Sequence, residues 1–325
     1  MPPLRIIFFG TAPLACASLA ALADSPAFQL AAVVTQPDRP KGRKLQLQPS
    51  AVKVEAAARQ LPVLQPERAR HPEFIGELTR LQPDLIVVAA YGQILPPAIL
   101  DLPRFGCVNV HTSLLPKFRG AAPIQWAILN DERETGVTIM RMDAGLDTGD
   151  ILTQRSTAIV PADNAQTLHD RLASIGAELL IQTIPDYVAG KTLPRKQPEN
   201  GVSYARKISK EDGRLDWQQP ARSLWNRVRA LTPWPGAFTF LPGATPPSLL
   251  KIWEADLAEA GPGAPGEILR ADKSGIVVGC TDGALRILRL QREGGRPMTA
   301  SEFLAGCRLH PGDRFGSASQ AALGS

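Results

Sequence analysis

The sequence predicts two domains: a first domain of the α/β class, built on a mostly parallel sheet covered by helices, and a smaller second domain that is a β-barrel. The chain has 325 residues, of which 44% are hydrophobic and 21% charged, which is typical of a globular protein too long for one average domain. Short apolar runs alternate with longer amphipathic stretches in the first half, whereas strand-like runs separated by Gly and Pro fill the later part.

Five short apolar runs in the first half are predicted strands. They cover residues 5–9, 30–35, 85–89, 108–111 and 138–142. Helix-like segments lie between them, and this alternation is typical of a Rossmann-like, mostly parallel sheet whose ligands bind beyond the carboxyl ends of the strands. Residues 165–187 have the apolar spacing of a helix, and we expect this helix to close a first domain spanning residues 1–189.

The composition changes after residue 189. Residues 190–208 are rich in Pro, Lys and Arg and show no sustained period, so we interpret them as a basic linker. Residues 209–315 contain one predicted helix, 221–231, and five predicted strands. The strands cover residues 237–241, 249–255, 266–269, 275–280 and 284–290. Strands of this length indicate a small OB-like barrel, and the small polar residues 316–325 are expected to form a disordered tail.

Cysteine spacing and charge narrow the class of protein. The four cysteines, Cys16, Cys107, Cys280 and Cys307, share no close spacing, which favours neither a zinc site nor a disulfide framework, so we expect a cytoplasmic protein. No apolar run approaches the ~18 residues of a membrane span, and residues 4–9 are interpreted as a first strand. The formal net charge of +5 permits an anionic partner such as nucleic acid without requiring one.

Polar side chains follow two of the predicted strands. Asn109 and His111 occupy alternate positions at the end of one strand and so project from the same face. Both can donate a hydrogen bond to one developing oxyanion. The acidic loop 143–150 follows the strand 138–142, and its Asp147 is expected to reach the same crevice. On residue types alone, a structural role is equally compatible: a buried Asn and His bonded to loop backbone, and an acidic turn or cation site.

Three segments together resemble the 10-formyltetrahydrofolate-dependent formyltransferases. They are Asn109-Val110-His111-Thr112-Ser113-Leu114-Leu115-Pro116, Arg119-Gly120-Ala121-Ala122-Pro123 and the acidic loop from Asp143 to Asp150. The resemblance extends over nearly the whole chain, and through residues 35–44 and 231–237 it is closest to the family members that act on methionyl-tRNA. Glycinamide ribonucleotide formyltransferases resemble only the first domain, whereas amino-sugar formyltransferases share the core without an expected basic loop.

The resemblance implies a transfer between two substrates. A formyl group would move from 10-formyltetrahydrofolate, the co-substrate, to the free amino group of initiator methionyl-tRNA, giving N-formylmethionyl-tRNA for translation initiation. Asn109, His111 and Asp147 would be catalytic. Asn109 and His111 would donate to the oxyanion, and Asp147 would either fix the protonation state of His111 or take the proton of the amine. The family needs no metal.

The resemblance also implies which residues bind the two substrates. Those expected at the folate are Ser113, Leu114, Leu115, Pro116, Tyr91, Ile94, Leu95 and Asp143. Those expected at the tRNA are Arg39, Lys41, Arg43, Lys44 and Lys207. A basic run between prolines is usually a solvated loop, but beside an active site it can bind a phosphate backbone. The second domain would provide a further tRNA surface, and we expect a monomer that does not contact a membrane.

Four functions are compatible with parts of this sequence. Formylation of methionyl-tRNA is favoured over formylation of a nucleotide sugar or small amine, for which the basic loop and linker would be superfluous. A non-enzymatic RNA-binding protein is weaker, because binding RNA does not need the combination of Asn109, His111 and Asp147. A nicotinamide dehydrogenase is weaker still, since residues 8–13 lack the glycine spacing that binds a pyrophosphate.

Overall fold

The computed structural model describes residues 2–41, 46–244, 247–259 and 263–316, and these form two compact units. Each unit is assembled from separate pieces of chain. The first comprises the described residues of Met1–Pro123, Glu134–Ala158 and His169–Ala205, and the second those of Ile124–Arg133, Ile159–Leu168 and Arg206–Ser325. The sequence predicts domains at residues 1–189 and 209–315. Those limits say which fragments would fold alone, and they stay predictions.

The first part of the chain alternates strands and helices. Its elements are β1 (Leu4–Gly10), α1 (Leu14–Asp24), β2 (Phe28–Val34), β3 (Arg39–Lys41), β4 (Gln46–Gln48), α2 (Ala51–Ala58), β5 (Val63–Leu64), α3 (Pro72–Arg80), β6 (Leu85–Ala89), α4 (Pro97–Leu100), β7 (Cys107–His111), β8 (Arg119–Gly120), α5 (Pro123–Leu129), β9 (Glu134–Arg141), β10 (Ile151–Ala158), α6 (Ala165–Val188) and β11 (Tyr204–Ala205).

Seven of these strands form the sheet of the first unit, in the order β10, β9, β7, β6, β1, β2, β5. The strands from β7 to β5 run parallel, whereas β9 is antiparallel to β7 and β10 is antiparallel to β9. The predicted α/β class with a mostly parallel sheet is confirmed. β5 and β10 lie outside the predicted strands, because β5 has only two residues and β10 alternates buried or half-buried residues with exposed polar ones.

The continuous apolar runs of β1 and β6 form the centre of this sheet. Ile6, Ile7, Phe8 and Phe9 are fully buried, and every residue of β6 is buried. A parallel strand covered by helices on both faces reads as an unbroken hydrophobic run, which is why these strands were predictable. The loops after β1 and β6 meet at one edge of the sheet, where the Thr11 hydroxyl donates to the Tyr91 carbonyl at 2.9 Å.

Short antiparallel strands dominate the second unit. Its later elements are α7 (Ala221–Leu231), β12 (Ala237–Phe240), β13 (Leu249–Ala258), β14 (Ile268–Asp272), β15 (Gly275–Gly279), β16 (Ala284–Arg292), β17 (Met298–Thr299) and α8 (Ala300–Gly306), after a 3-10 turn at Glu211–Gly213. The sheet order is β12, β13, β16, β15, β14, with β17 paired to β16. The predicted β-rich second domain is confirmed. β14 begins after the predicted start at Gly266, which adopts a φ of 81° in a turn.

The end of the described chain closes this sheet. Gly316 forms a bridge to Phe240 beside β12, and Arg314 forms a bridge to Glu267 beside β14, so the segment joins the two edge strands. Phe315, between them, stacks on Trp217 with ring centroids 5.8 Å apart. This closure around an apolar core agrees with a barrel. Residues 317–325, most of the predicted disordered tail, lie outside the described residues.

Helix α8 was not expected from the sequence, although a capping signal precedes it. The Thr299 side chain accepts a hydrogen bond from the Glu302 backbone, while the Glu302 carboxylate accepts one from the Thr299 backbone. This reciprocal box stabilises the first turn of a helix that is only seven residues long. A Thr followed three residues later by Glu was the available clue.

Residues after α6 pack along the first unit before the chain reaches the second. The backbones of Arg195 and Ile151 exchange two hydrogen bonds, of 2.8 and 2.9 Å. Further on, β11 pairs with β8, so that Tyr204 lies opposite Arg119. The segment interpreted as a linker therefore includes residues that form part of the first unit.

The longest helix is α6, close to the predicted 165–187. Asn164 precedes it, and its side-chain oxygen accepts hydrogen bonds from the backbone nitrogens of Gln166 and Thr167, at 2.9 and 3.0 Å. Leu172 and Leu180 are fully buried on its inner face. Within the described ranges, no helix is both long enough and apolar enough to span a membrane.

Two glycines provide a matched test of this fold. A Cβ at Gly136 in β9 would overlap the carbonyl oxygen of Arg155, whereas a Cβ at Gly76 in α3 would meet nothing within 4 Å. We expect Gly136→Ala to lower the melting temperature by several degrees and Gly76→Ala to raise the free energy of unfolding by about 0.5–1 kcal/mol. Calorimetry of both variants checks this, and a stable Gly136→Ala protein would contradict the strand pairing.

Candidate active site

Asn109 and His111 lie on β7, in the middle of the sheet. Asn109 is paired with Met140 and His111 with Thr138 of the antiparallel neighbour β9. Because β9 runs the opposite way, its carboxyl end lies beside the beginning of β7, opposite Val108. The loop that carries Asp147 therefore starts away from His111 and reaches it by folding back. Asp147 lies close to His111, as expected, although the strand before its loop ends at the opposite edge of the sheet from His111.

The His111 ring contacts two acceptors. Its Nε2 lies 3.0 Å from the carbonyl oxygen of Phe118, and its Nδ1 lies 3.7 Å from Oδ2 of Asp147. A carbonyl can only accept, so Nε2 carries a hydrogen, and in the neutral ring Nδ1 then holds a lone pair. The ring is 6% exposed and the Asp147 side chain 16% exposed, so their interaction is only weakly screened by water.

Backbone groups hold the Asp147 carboxylate in place. Its Oδ2 accepts a hydrogen bond from the Gly120 backbone nitrogen at 2.8 Å. The Asp147 carbonyl accepts another from Nε2 of Gln197 at 2.7 Å. Asp147 itself has a φ of 52°, in the left-handed region that non-glycine residues seldom adopt. Its conformation is therefore maintained by contacts from outside its own loop.

The Asn109 side chain differs from its neighbours on β7. It is half-buried, whereas the other four residues of the strand are buried. Among the residues that the structure describes, none forms a hydrogen bond with its amide group. An amide in this position can donate to a bound molecule without first breaking a contact within the protein.

The loop Ser113–Pro116 is held by hydrogen bonds to side chains of β9 and β10. The Thr138 hydroxyl donates to the Ser113 carbonyl at 2.7 Å and accepts from the Leu115 backbone at 3.1 Å. Gln154 donates to the Leu115 carbonyl at 2.9 Å. Ser113 and Leu115 are buried, and Leu114 and Pro116 are half-buried. Of the predicted folate residues, these four therefore lie together directly after β7.

The predicted folate residues after β6 divide between core and surface. Tyr91 is 2% exposed, its ring lies edge-on to Phe9 at 5.1 Å, and burial raises its pKa to about 12. Leu95 is also a core residue. Ile94 is 89% exposed, which leaves it as the apolar side chain of this group that a ligand can reach. The Tyr91 carbonyl accepts from Gln36 at 2.9 Å, a contact that the sequence did not suggest.

Asp143 shapes the acidic loop. Its Oδ1 accepts hydrogen bonds from the Gly145 backbone at 3.0 Å and from the Thr148 hydroxyl at 2.7 Å. It borders a cavity of about 370 Å³ that Asn109, His111 and Asp147 do not line. The cavity is lined by Pro97, Leu100, Asp101, Gly106, Arg141, Met142, Asp143, Ala144, Gly149 and Asp150. Asp143 therefore lies on the loop of Asp147 but beside a separate cavity.

The predicted tRNA residues are described only in part. Arg39 lies on β3, which pairs with β4, and its 58% exposed side chain forms an ion pair with Glu67 at 3.2 Å. Lys207 is exposed. Arg43, Lys44 and the side chain of Lys41 lie outside the described residues.

In the described part of the chain, no group of three His, Cys, Asp or Glu residues is placed to hold a metal ion.

Two residues of this site were missed by sequence reasoning. Gln197 contacts the backbone of the Asp147 loop, and Ser203 accepts a hydrogen bond from the Phe118 backbone nitrogen at 2.9 Å. Both belong to the stretch interpreted as a linker. Neither has a periodic or motif signal, because each works through contacts with residues distant in sequence.

Comparison with known proteins identifies similar families and relatives. Residues 4–184 match the family model described as "Formyl transferase", and residues 207–308 match "Formyl transferase, C-terminal domain". The chain is 50% identical over 318 residues to "Methionyl-tRNA formyltransferase" of Geobacter sulfurreducens, covering 98% of both chains. It is 49% identical over 311 residues to the protein of that name from Caldanaerobacter subterraneus subsp. tengcongensis, covering 95% of this chain and 99% of the relative.

Solved structures share the fold at lower identity. An N-formyltransferase from Helicobacter canadensis, in complex with folinic acid and dTDP-3-aminofucose, has a TM-score of 0.63 at 21% identity, covering 87% of this chain and 98% of that one. HypX from Aquifex aeolicus, in complex with tetrahydrofolic acid, has a TM-score of 0.60 at 19% identity, covering 97% of this chain and 51% of that one. At such identities these matches show the fold.

Two threonines of β9 test how the site is supported. Thr138 is fully buried, and its hydroxyl forms hydrogen bonds with Ser113, Leu115 and Gln154. The hydroxyl of Thr135 is also buried but has no hydrogen-bond partner in the described chain. Thr138→Val should reduce the free energy of unfolding by about 1–3 kcal/mol, because buried groups lose their partner. Thr135→Val should change it little. Urea unfolding of both measures this, and equal effects would contradict the account of the loop.

Proposed function

Because this chain belongs to the formyl transferase family, we propose that it transfers the formyl group of 10-formyltetrahydrofolate to the amino group of initiator methionyl-tRNA. The observation that carries the proposal is the contact between His111 Nδ1 on β7 and Asp147 Oδ2 in the loop after β9, 3.7 Å apart. The same strand β7 carries Asn109, whose amide has no hydrogen-bond partner among the residues that the structure describes. The relatives that are about half identical over nearly their full length carry the corresponding name.

Asn109 and His111 would stabilise the oxygen that gains negative charge when the amine adds to the formyl carbon. Asn109 donates from its free side-chain amide. His111 can donate only from Nδ1, because the hydrogen on Nε2 is bonded to the Phe118 carbonyl. Donation from Nδ1 requires the doubly protonated ring, whose second hydrogen would lie on the side of Asp147 Oδ2, 3.7 Å away. One such donor typically contributes 10²–10³-fold to the rate.

The same pair would manage the protons of the reaction. The attacking amine loses a proton as its new bond to carbon forms, and the folate nitrogen gains one as its bond to carbon breaks. Asp147 is the acceptor for the first proton, and the hydrogen on His111 Nδ1 is the donor for the second. Transfer of the accepted proton from Asp147 to His111 Nδ1 would then return both groups to the forms in which they began the reaction. No covalent intermediate with the protein is needed.

The loops at the edge of the sheet fit a folate. Ile94 offers an exposed apolar side chain, and the loop Ser113–Pro116 offers backbone groups in a conformation fixed by Thr138. Bound there, the co-substrate supplies the activated formyl group. The remaining predicted folate residues, Tyr91 and Leu95, would support the loop from the core, and Asp143 would shape the loop that carries Asp147.

The acceptor would be held by basic residues outside the catalytic site. Arg39 is exposed on the β3–β4 hairpin, and Lys41, Arg43 and Lys44 follow it in the sequence. Lys207 and the second domain, residues 209–315, would add a second phosphate-binding surface. A nucleotide-sugar acceptor would leave this hairpin without a role. We further propose that the protein acts as a monomer in the cytoplasm.

The chemistry is tested by single-turnover formylation of charged initiator tRNA, with charged elongator tRNA and an amino sugar as alternative acceptors. His111→Ala and Asp147→Asn should each lower the rate by at least about 100-fold while substrate affinities change little. His169→Ala is the matched control, because His169 also pairs with an aspartate, at 2.8 Å on the surface, and should leave the rate unchanged. Faster formylation of the amino sugar than of initiator tRNA would refute the proposed acceptor.

The basic hairpin is tested through the ion pair of Arg39 and Glu67. Arg39→Ala should weaken tRNA binding and lower the slope of log affinity against log salt by about one, since a phosphate contact is lost. Glu67→Gln breaks the same ion pair but leaves Arg39 available, so binding should be unchanged or tighter. Fluorescence anisotropy with labelled charged tRNA measures both. If the two variants weaken binding equally, Arg39 serves only the ion pair.

A further inference from the structure

The side chain of Gln197 connects three segments of the first unit. Its Nε2 donates to the carbonyl oxygens of Asp147 and Gly149, at 2.7 and 2.8 Å. Its Oε1 accepts from Nε and Nη2 of Arg119, at 3.1 and 2.7 Å. A glutamine amide has two hydrogens to donate and two lone pairs to accept with, so this side chain uses its full hydrogen-bonding capacity.

The two groups joined by Gln197 are those that hold the Asp147 carboxylate. On one side is the loop in which Asp147 has a φ of 52°. On the other is Arg119, whose neighbour Gly120 donates its backbone hydrogen to Asp147 Oδ2. A non-glycine residue in the left-handed region needs outside support to stay there. Gln197 provides it by bonding the backbone of Asp147 itself.

The backbone around Gln197 is itself fixed to the sheet. Arg195 exchanges two hydrogen bonds with Ile151, the first residue of β10, and Tyr204 pairs with Arg119. Arg195, Lys196 and Glu199, the charged residues within two positions of Gln197, are exposed, whereas Gln197 is half-buried. Gln197 is therefore less exposed to solvent than the charged residues around it, as expected of a side chain that forms contacts within the protein.

His111 is held by a hydrogen bond that does not involve the side chain of Gln197. Its Nε2 is bonded to the Phe118 carbonyl, and the Phe118 backbone nitrogen is bonded to Ser203. Movement of the Asp147 loop would therefore change the distance between Oδ2 and Nδ1 without releasing the ring. The attraction between carboxylate and imidazolium weakens as that distance grows and as water enters between them.

We propose that Gln197 is a positioning residue that sets the separation of Asp147 from His111 by fixing the Asp147 loop to Arg119. The inference rests on the proposed function, since it assigns Gln197 to the same site. Its loss should lower the formylation rate about 10- to 100-fold with little change in substrate affinity, which is the usual effect of a small displacement of a catalytic group.

Two variants and one control separate this role from a general loss of stability. Gln197→Leu removes all four hydrogen bonds. Gln197→Glu keeps the acceptor for Arg119 but has no hydrogen to donate to the carbonyls of Asp147 and Gly149. Glu199→Ala changes an exposed neighbour in the same segment and is the control.

The first measurement is hydrogen exchange of the Gly120 amide by NMR on the full-length protein. We expect faster exchange in Gln197→Leu and Gln197→Glu, because the Asp147 acceptor moves away, and no change in Glu199→Ala. Unchanged exchange at Gly120 in both Gln197 variants would overturn the proposal. This result does not depend on activity, so it decides the positioning role even if the wild type fails to formylate tRNA and the proposed function falls.

The second measurement is a double-mutant cycle in single-turnover formylation. If Gln197 acts through Asp147, Gln197→Leu should slow the wild type about 10- to 100-fold but the Asp147→Asn variant less than about twofold. A merely structural residue would slow both backgrounds equally, and that outcome would overturn the proposal. Because Gln197→Glu keeps its bonds to Arg119, it provides the same comparison should Gln197→Leu fold poorly.

Discussion

The hydrogen bond from His111 Nε2 to the Phe118 carbonyl determines what the rest of the site can do. It places the hydrogen of the neutral ring on Nε2 and leaves Nδ1 as the only ring atom available to other groups. Asp147 lies on the Nδ1 side, so a proton held there is attracted by a carboxylate whose own position is fixed by the Gly120 backbone. The Phe118 carbonyl, the His111 ring, the Asp147 carboxylate and the Gly120 amide therefore lie in one continuous series of contacts.

Parts of the chain that are far apart in sequence converge on this pair. β7 supplies His111, the loop after it supplies Phe118, the loop after β9 supplies Asp147, and the stretch before β11 supplies Gln197. Most of the bonds between these parts involve backbone carbonyls or nitrogens, whose directions are set by the main chain. Such a site depends on how the loops are folded more than on which side chains surround them.

The sequence predicted those features that produce a pattern within a single segment of the chain. Unbroken apolar runs revealed β1 and β6 because both faces of a central parallel strand are buried, and the period of two placed Asn109 and His111 on one face. The antiparallel direction of β9 was not predictable, since it depends on a pairing with β7 that no single segment encodes. Gln197 was missed for the same reason: its partners lie about 50 and 78 residues away.

The second unit includes two early segments of the chain, Ile124–Arg133 and Ile159–Leu168, as well as the described residues after residue 205. Asp131 accepts hydrogen bonds from Arg222 and Asn226, 91 and 95 residues later. During synthesis both early segments leave the ribosome before the strands of the barrel do, so the second unit can be completed only after the later part of the chain has been made. A fragment beginning at residue 206 would lack Asp131 and would therefore leave Arg222 and Asn226 without their shared acceptor.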